Sequence, residues 1–124
     1  MTDELVDARP YFIRKEHIKD IKGRRPDDPD YDVGSLFVPA NEFVKFSGSM
    51  KQYWDIKRDN YDKVLFFKIG KFYEIFYDDA ILCHRLLDLS WMTGKKLHTG
   101  FYERSLDKFV SMLVSQGYKV AVIE

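Results

Sequence analysis

Phe72 and Glu74 flank Tyr73 in the segment Phe72-Tyr73-Glu74-Ile75-Phe76-Tyr77, directly after Gly70-Lys71. In a strand, the period of two places Phe72, Glu74 and Phe76 on one face and Tyr73, Ile75 and Tyr77 on the other. A carboxylate then lies between two phenyl rings, beside a lysine. Because Phe72 follows a tight turn, its ring is expected to project past the end of the sheet. Such a ring has a physical use as a wedge: an apolar side chain pushed into a base step from the minor groove unstacks it and kinks the duplex. Unstacking costs on the order of a few kcal/mol and least for a mispaired base, and stacking a base on the ring returns about 1–3 kcal/mol. Glu74 repels phosphates and contributes nothing to counterion release. Its use is selectivity, since a carboxyl hydrogen-bonds a displaced base edge, and a ring-nitrogen acceptor only when protonated. The plainer alternative is that Phe72 covers the hairpin end while Glu74 is solvated at a sheet edge.

Other chemistries find less support. Asp78 and Asp79 with Glu74 suggest a carboxylate metal site, but Asp79 has a helix-capping use and Asp78 need not point with Glu74. His17, His84 and His98 show no ligand spacing with one another or with Cys83, so no metal site is expected. The chain has no Gly-x-x-x-x-Gly-Lys-Ser/Thr, which excludes ATP binding by that route. No catalytic residue and no cofactor are expected in this segment.

The elements that must position Phe72 and Glu74 follow from periodicity. Residues 63–69, rich in Val, Leu, Phe and Ile, predict a buried strand, and residues 72–77 its hairpin partner across Gly70-Lys71. Asp78 or Asp79 caps a predicted helix through residue 88, with Ile81, Leu82, Arg85 and Leu86 at helical spacing. Short strands are expected at 89–92 and 97–101, around the turn Gly94-Lys95-Lys96. Ser105 caps an amphipathic helix bearing Leu106, Phe109, Val110, Leu113 and Val114, which Gly117 ends, and residues 118–123 form a last strand. Upstream, Met50, Tyr53, Trp54 and Lys57 line a helix that starts at Ser47 or Ser49 and runs to about residue 60. Residues 11–22 predict a short amphipathic helix, and residues 1–10 a loose terminus. Between 24 and 39, Pro26, Pro29 and Pro39 with Asp27, Asp28, Asp30 and Asp32 forbid helix and predict an extended strap. The expected fold class is α/β, a mixed β-sheet with flanking helices, preceded by an extended N-terminal strap. The division is residues 1–38, helix and strap, and residues 39–124, the folded domain.

Composition bounds the partners. The 124 residues suit one domain of ordinary size. Twenty basic and twenty acidic residues cancel, which argues against a histone-like, purely electrostatic grip on nucleic acid. The zero hides a swing: residues 45–71 carry seven basic and three acidic side chains, and residues 72–90 one basic and four acidic. The sign changes beside Lys71. The apolar run 64–67 is far short of the roughly 18 residues of a membrane span, and the acidic start Met-Thr-Asp-Glu is unlike a signal peptide. The single Cys83 excludes an internal disulfide and fits a reducing compartment, as a small buried apolar residue. Twenty aromatics exceed the needs of such a core, so some are expected to work at the surface.

These residues carry a family resemblance. Gly70-Lys71-Phe72-Tyr73-Glu74-Ile75-Phe76-Tyr77-Asp78-Asp79-Ala80 resembles the Phe-x-Glu segment of the MutS mismatch-recognition domain. Thr99-Gly100-Phe101 and Gln116-Gly117-Tyr118-Lys119-Val120-Ala121 are similar to its later strands. Arg24-Arg25-Pro26 followed by Pro29-Asp30-Tyr31-Asp32, then Leu36 and Val38-Pro39, resembles the strap of the eukaryotic mismatch-sensing branch. The likeness spans residues 11–124. It implies that Phe72 stacks on the mispaired base from the minor groove, Glu74 hydrogen-bonds that base, Lys71 supports the nearby backbone or groove, and Ile69 is a neighbouring contact. It implies mismatched double-stranded DNA as partner, with the second eukaryotic MutS homologue as heterodimer partner of the full-length protein. A nuclear location follows, as does ATP and Mg binding in C-terminal domains outside this segment, which stops directly after its last expected strand. One departure is Tyr102, which follows Gly100-Phe101 where the family usually has proline. A protein-interaction module using the strap and exposed aromatics is the alternative function, and a nuclease a distant third.

Overall fold

Three prolines keep residues 24–39 out of helix, and the computed structural model, which describes residues 9–93 and 97–124, has turns and extended backbone there. The expected loose terminus over residues 1–8 and the Gly94-Lys95-Lys96 turn lie outside the described residues. The chain forms two compact units, residues 10–63 and residue 9 with residues 64–124.

In the first unit the strap is pinned by main-chain bonds: Phe37 N–H donates to the Lys19 carbonyl, Leu36 N–H to Arg58, and Tyr61 N–H to Gly34. Its core holds Phe12, Ile13, Leu36, Val38, Tyr53 and Trp54, with the Phe12 and Trp54 rings edge to face at 5.0 Å. Helix α1 (Ala40–Phe43), a single turn that periodicity did not predict, precedes helix α2 (Gly48–Lys57), whose N-cap position is Ser47, one of the two expected, and which ends at Lys57 rather than near residue 60.

The helix expected over residues 11–22 is absent. Only the 3-10 turn Tyr11–Ile13 forms. The fully buried Asp20 carboxylate accepts from the main-chain N–H groups of Lys22, Arg24 and Asp32 and from Arg24 Nε at 2.7 Å. The Arg25 guanidinium donates to the Ile18 and Lys15 carbonyls. Side chains of and beside the strap thereby satisfy backbone groups that a helix would satisfy internally. Burial alone would raise the Asp20 carboxyl, but the Asp32 N–H, the Arg24 guanidinium and N–H, and the Arg24 charge hold it well below the usual carboxylate range.

The second unit is built on the hairpin. Strands β1 (Lys63–Ile69) and β2 (Phe72–Phe76) are antiparallel, and β2 pairs antiparallel with β3 (His98–Tyr102). With β4 (Lys119–Ile123) beyond β1, the mixed sheet has the order β3-β2-β1-β4. Helix α3 (Tyr77–Leu87) and helix α4 (Leu106–Ser115) flank it. One face supplies Val64, Phe66, Tyr73, Ile75 and Phe101 to a core completed by Ala80, Cys83 and Leu87 of α3 and Phe109 and Leu113 of α4. Each such large apolar side chain contributes about 1.5–3 kcal/mol by leaving water.

Three local expectations are corrected. Tyr77 opens α3 rather than ending β2, and it does so at φ +52°. Neither Asp78 nor Asp79 caps α3: the N-cap position is Phe76, and Asp79 is buried and accepts the Leu65 N–H at 3.1 Å across 14 residues. Residues 89–92 make one bridge, Trp91 to Thr99, instead of a strand, because the Thr99 hydroxyl and His84 Nδ1 engage the Ser90 and Leu89 carbonyls.

Candidate nucleic-acid interface

The turn between β1 and β2 has Gly70 at its first central position with φ +66° and Lys71, with no positive φ, at its second. That is the type II′ pattern, whose twist matches two antiparallel strands. Glu103 N–H donates to the Lys71 carbonyl at 2.9 Å, tying the turn to the end of β3. Lys71 and Gly70 are exposed, and Ile69 is 42% exposed.

Register then decides which side chains meet. Ile69 lies opposite Phe72, and Phe72 opposite Tyr102, so the three form one row across β1, β2 and β3. Phe67, Glu74 and Gly100 form the next row, on the same face. Of the four sequence-predicted residues, Ile69, Phe72 and Glu74 are therefore gathered at one end of the sheet, on the face opposite the Tyr73 and Ile75 core, and Lys71 is exposed in the turn at that same end.

The Phe72 ring does not stand free beyond the sheet as expected. It is half-buried and folds over Gly100, where an added Cβ would overlap both the ring and the Tyr73 carbonyl oxygen. A glycine opposite Glu74 leaves a gap on the outer face, and the neighbouring ring fills it. The Tyr102 ring meets Phe72 edge to face, with centroids 5.2 Å apart and planes at 88°. Glu74, also half-buried, lies one row inward. Beneath them, the Tyr73 hydroxyl donates to the Glu124 carboxylate at 2.6 Å. That bond, reinforced by burial, pushes the hydroxyl up to about 12 and fixes β2 from its core side.

The carboxylates considered for a metal do not converge. Asp78 faces Arg9 at 3.3 Å and Asp79 is held by Leu65, and among the described residues no three His, Cys, Asp or Glu side chains are grouped to hold an ion. What the tip presents is hydrocarbon from Ile69, Phe72 and Tyr102, the Lys71 ammonium at the turn, and one carboxylate. These groups are suited to stacking and hydrogen bonding.

Sequence reasoning missed the seat at Gly100, the ring contact of Tyr102, and Arg104, whose guanidinium carbon lies 5.4 Å from the Tyr102 ring centre. Their signal was the run Thr99-Gly100-Phe101-Tyr102, in which a glycine interrupts a strand.

Comparison with known proteins bears on this arrangement. Residues 47–124 match the family MutS domain I. A probable DNA mismatch repair protein Msh6 of Drosophila melanogaster is 47% identical over 113 residues, covering 91% of this chain and 10% of the relative. DNA mismatch repair protein Msh6 of Homo sapiens is 38% identical over 113 residues, covering 91% of this chain and 8% of the relative. The DNA mismatch repair protein MutS of Streptococcus sanguinis is 40% identical over 86 residues, covering 64% of this chain and 10% of the relative. The chain spans about a tenth of the length of these relatives. With the family matched over the hairpin, the sheet and both flanking helices, the chain belongs to the MutS family and carries its domain I.

Proposed function

We propose that this chain is the mismatch-reading segment of a DNA mismatch repair protein, and that Phe72 stacks on a mispaired base from the minor groove while Glu74 hydrogen-bonds it. The observation that carries the reading is the row Ile69, Phe72 and Tyr102 at the hairpin end, with Glu74 one row behind on the same face. Lys71, exposed at the turn, supports the adjacent backbone or groove, and Ile69 is a neighbouring contact. The names of the relatives support the role in mismatch repair, and the Msh6 relatives favour the eukaryotic mismatch-sensing branch.

The energetics favour a probe over a grip. A neutral segment gains little from counterion release and so holds a matched duplex weakly. Unstacking costs on the order of a few kcal/mol, least at a mispair, and a net charge of zero leaves that difference to decide binding. In this reading the domain acts within a longer nuclear protein, paired with the second eukaryotic MutS homologue, with ATP and Mg bound in other domains. The functional boundary is taken at residues 38 and 39, ahead of the family match, which begins at residue 47. No reaction is assigned to this segment.

The test is competition between labelled homoduplex and single-mismatch DNA for the full-length protein. Phe72→Ala should lower the mismatch preference about 5- to 150-fold, the worth of one stacked base. An unchanged preference would remove the basis of the proposal.

A second reading, a protein-interaction module, draws on a 530 Å³ cleft within residues 10–63 that is lined by Tyr11, His17, Lys19, Phe37 and Pro39 among others. It predicts that Phe37→Ala releases a protein partner without touching mismatch preference.

A further inference from the structure

Tyr102 is the most exposed aromatic residue among those described, at 61%, yet its ring is not idle. It meets Phe72 edge to face at 5.2 Å, and the Arg104 guanidinium carbon lies 5.4 Å from its centre. Phe72 for its part rests on the gap above Gly100. Two surfaces therefore limit the Phe72 side chain, the glycine backbone beneath it and the Tyr102 ring beside it. The backbone seat sets how closely the ring approaches the sheet. Tyr102 sets where along the row it lies, because β3 pairing places the two residues directly opposite. A ring already confined loses less rotamer freedom when a base is stacked on it.

We propose that Tyr102 is a positioning residue for mismatch reading, holding the Phe72 ring in the orientation from which it stacks. The proposal rests on the reading of Phe72 as the stacking residue. It assigns Tyr102 no stacking of its own on DNA, so the effect of Tyr102 must pass through Phe72. Arg104 steadies Tyr102 by its charge over the ring.

Two measurements on the full-length protein test this. In the first, mismatch and homoduplex affinities are compared for Tyr102→Phe, Tyr102→Ala, Phe72→Ala and the double variant. Tyr102→Phe keeps the ring and should match the parent. Tyr102→Ala should lower the mismatch-to-homoduplex ratio about three- to tenfold, bounded by the worth of an edge-to-face pair, with homoduplex affinity unchanged. In the Phe72→Ala background it should add nothing. An additive loss there, or an equal loss for both duplexes, would show Tyr102 touching DNA itself and overturn the proposal. In the second, 4-fluorophenylalanine is placed at position 72 and its fluorine resonance read without DNA. Tyr102→Ala should shift it and Tyr102→Phe should not; an unmoved resonance under Tyr102→Ala overturns the positioning role. A moved resonance together with normal mismatch preference in Phe72→Ala supports positioning and removes the stacking reading instead, so the two failures are distinguishable.

Discussion

Phe72 lies over Gly100, the residue opposite Glu74 on the adjacent strand, so closely that no β-carbon fits between ring and backbone. The neighbouring Tyr73 carbonyl closes the same space. Gly100→Ala should therefore destabilise the domain by about 1–3 kcal/mol, the usual cost of overpacking a tight contact. It should also displace the Phe72 ring and reduce mismatch preference. Chemical denaturation with a two-duplex binding assay checks both, and a variant as stable as the parent would show that the seat is loose.

On the proposed reading, Glu74 separates selectivity from affinity. Glu74→Gln and Glu74→Ala should change the ranking of mismatches while leaving homoduplex affinity unchanged or higher, because a charge that repels phosphates is gone. Titration of a panel of mismatched duplexes at fixed salt reads this directly. A marked loss of homoduplex binding would contradict it.

Lys71 should behave in the opposite way. Its ammonium is exposed at the turn, and its structural bond to Glu103 is made by the main chain, which substitution leaves in place. Lys71→Ala should weaken matched and mismatched duplexes alike and lower the slope of log affinity against log salt by about 1. A change confined to mismatched DNA would assign Lys71 to base reading.

Acid should act first on the strap. The Asp20 carboxyl is depressed in the folded chain, so its contribution is fully present above the ordinary carboxylate value of about 3.9 and is lost as pH falls below it. The thermal midpoint should fall as pH is lowered from about 4 through 2. Asp20→Asn should lower stability at neutral pH and flatten that acid limb, measured by circular dichroism across the range. Identical acid limbs would place the sensitivity elsewhere.

The hairpin, the common face of Phe72 and Glu74, helix α4 and the final strand were legible in the sequence because each follows from contacts within a few residues. Period-two alternation, a glycine at the turn and helical spacing of Phe109, Val110 and Leu113 are local signals. The helix expected over residues 11–22 failed for the complementary reason. Its periodicity was real, but Asp20 takes the Lys22 N–H and Arg25 the Ile18 and Lys15 carbonyls, backbone groups that the periodicity left to a helix. Asp79 misled similarly, since its partner Leu65 lies 14 residues away.

The sequence by itself determined which residues stand at the tip, since Gly70-Lys71 turns the chain and alternation aligns Ile69, Phe72 and Glu74 on one face. Only the tertiary structure decided how that tip is held. Gly100 and Tyr102 come from β3, beyond the whole of helix α3, and they reach Phe72 through a strand register that no local pattern specifies. A one-residue slip of β3 would send Tyr102 to the core face and place Phe101 beside Phe72 instead. Packing of Phe101 against Phe66 and Phe109 excludes that slip, so the core behind the sheet fixes the orientation of the ring in front of it.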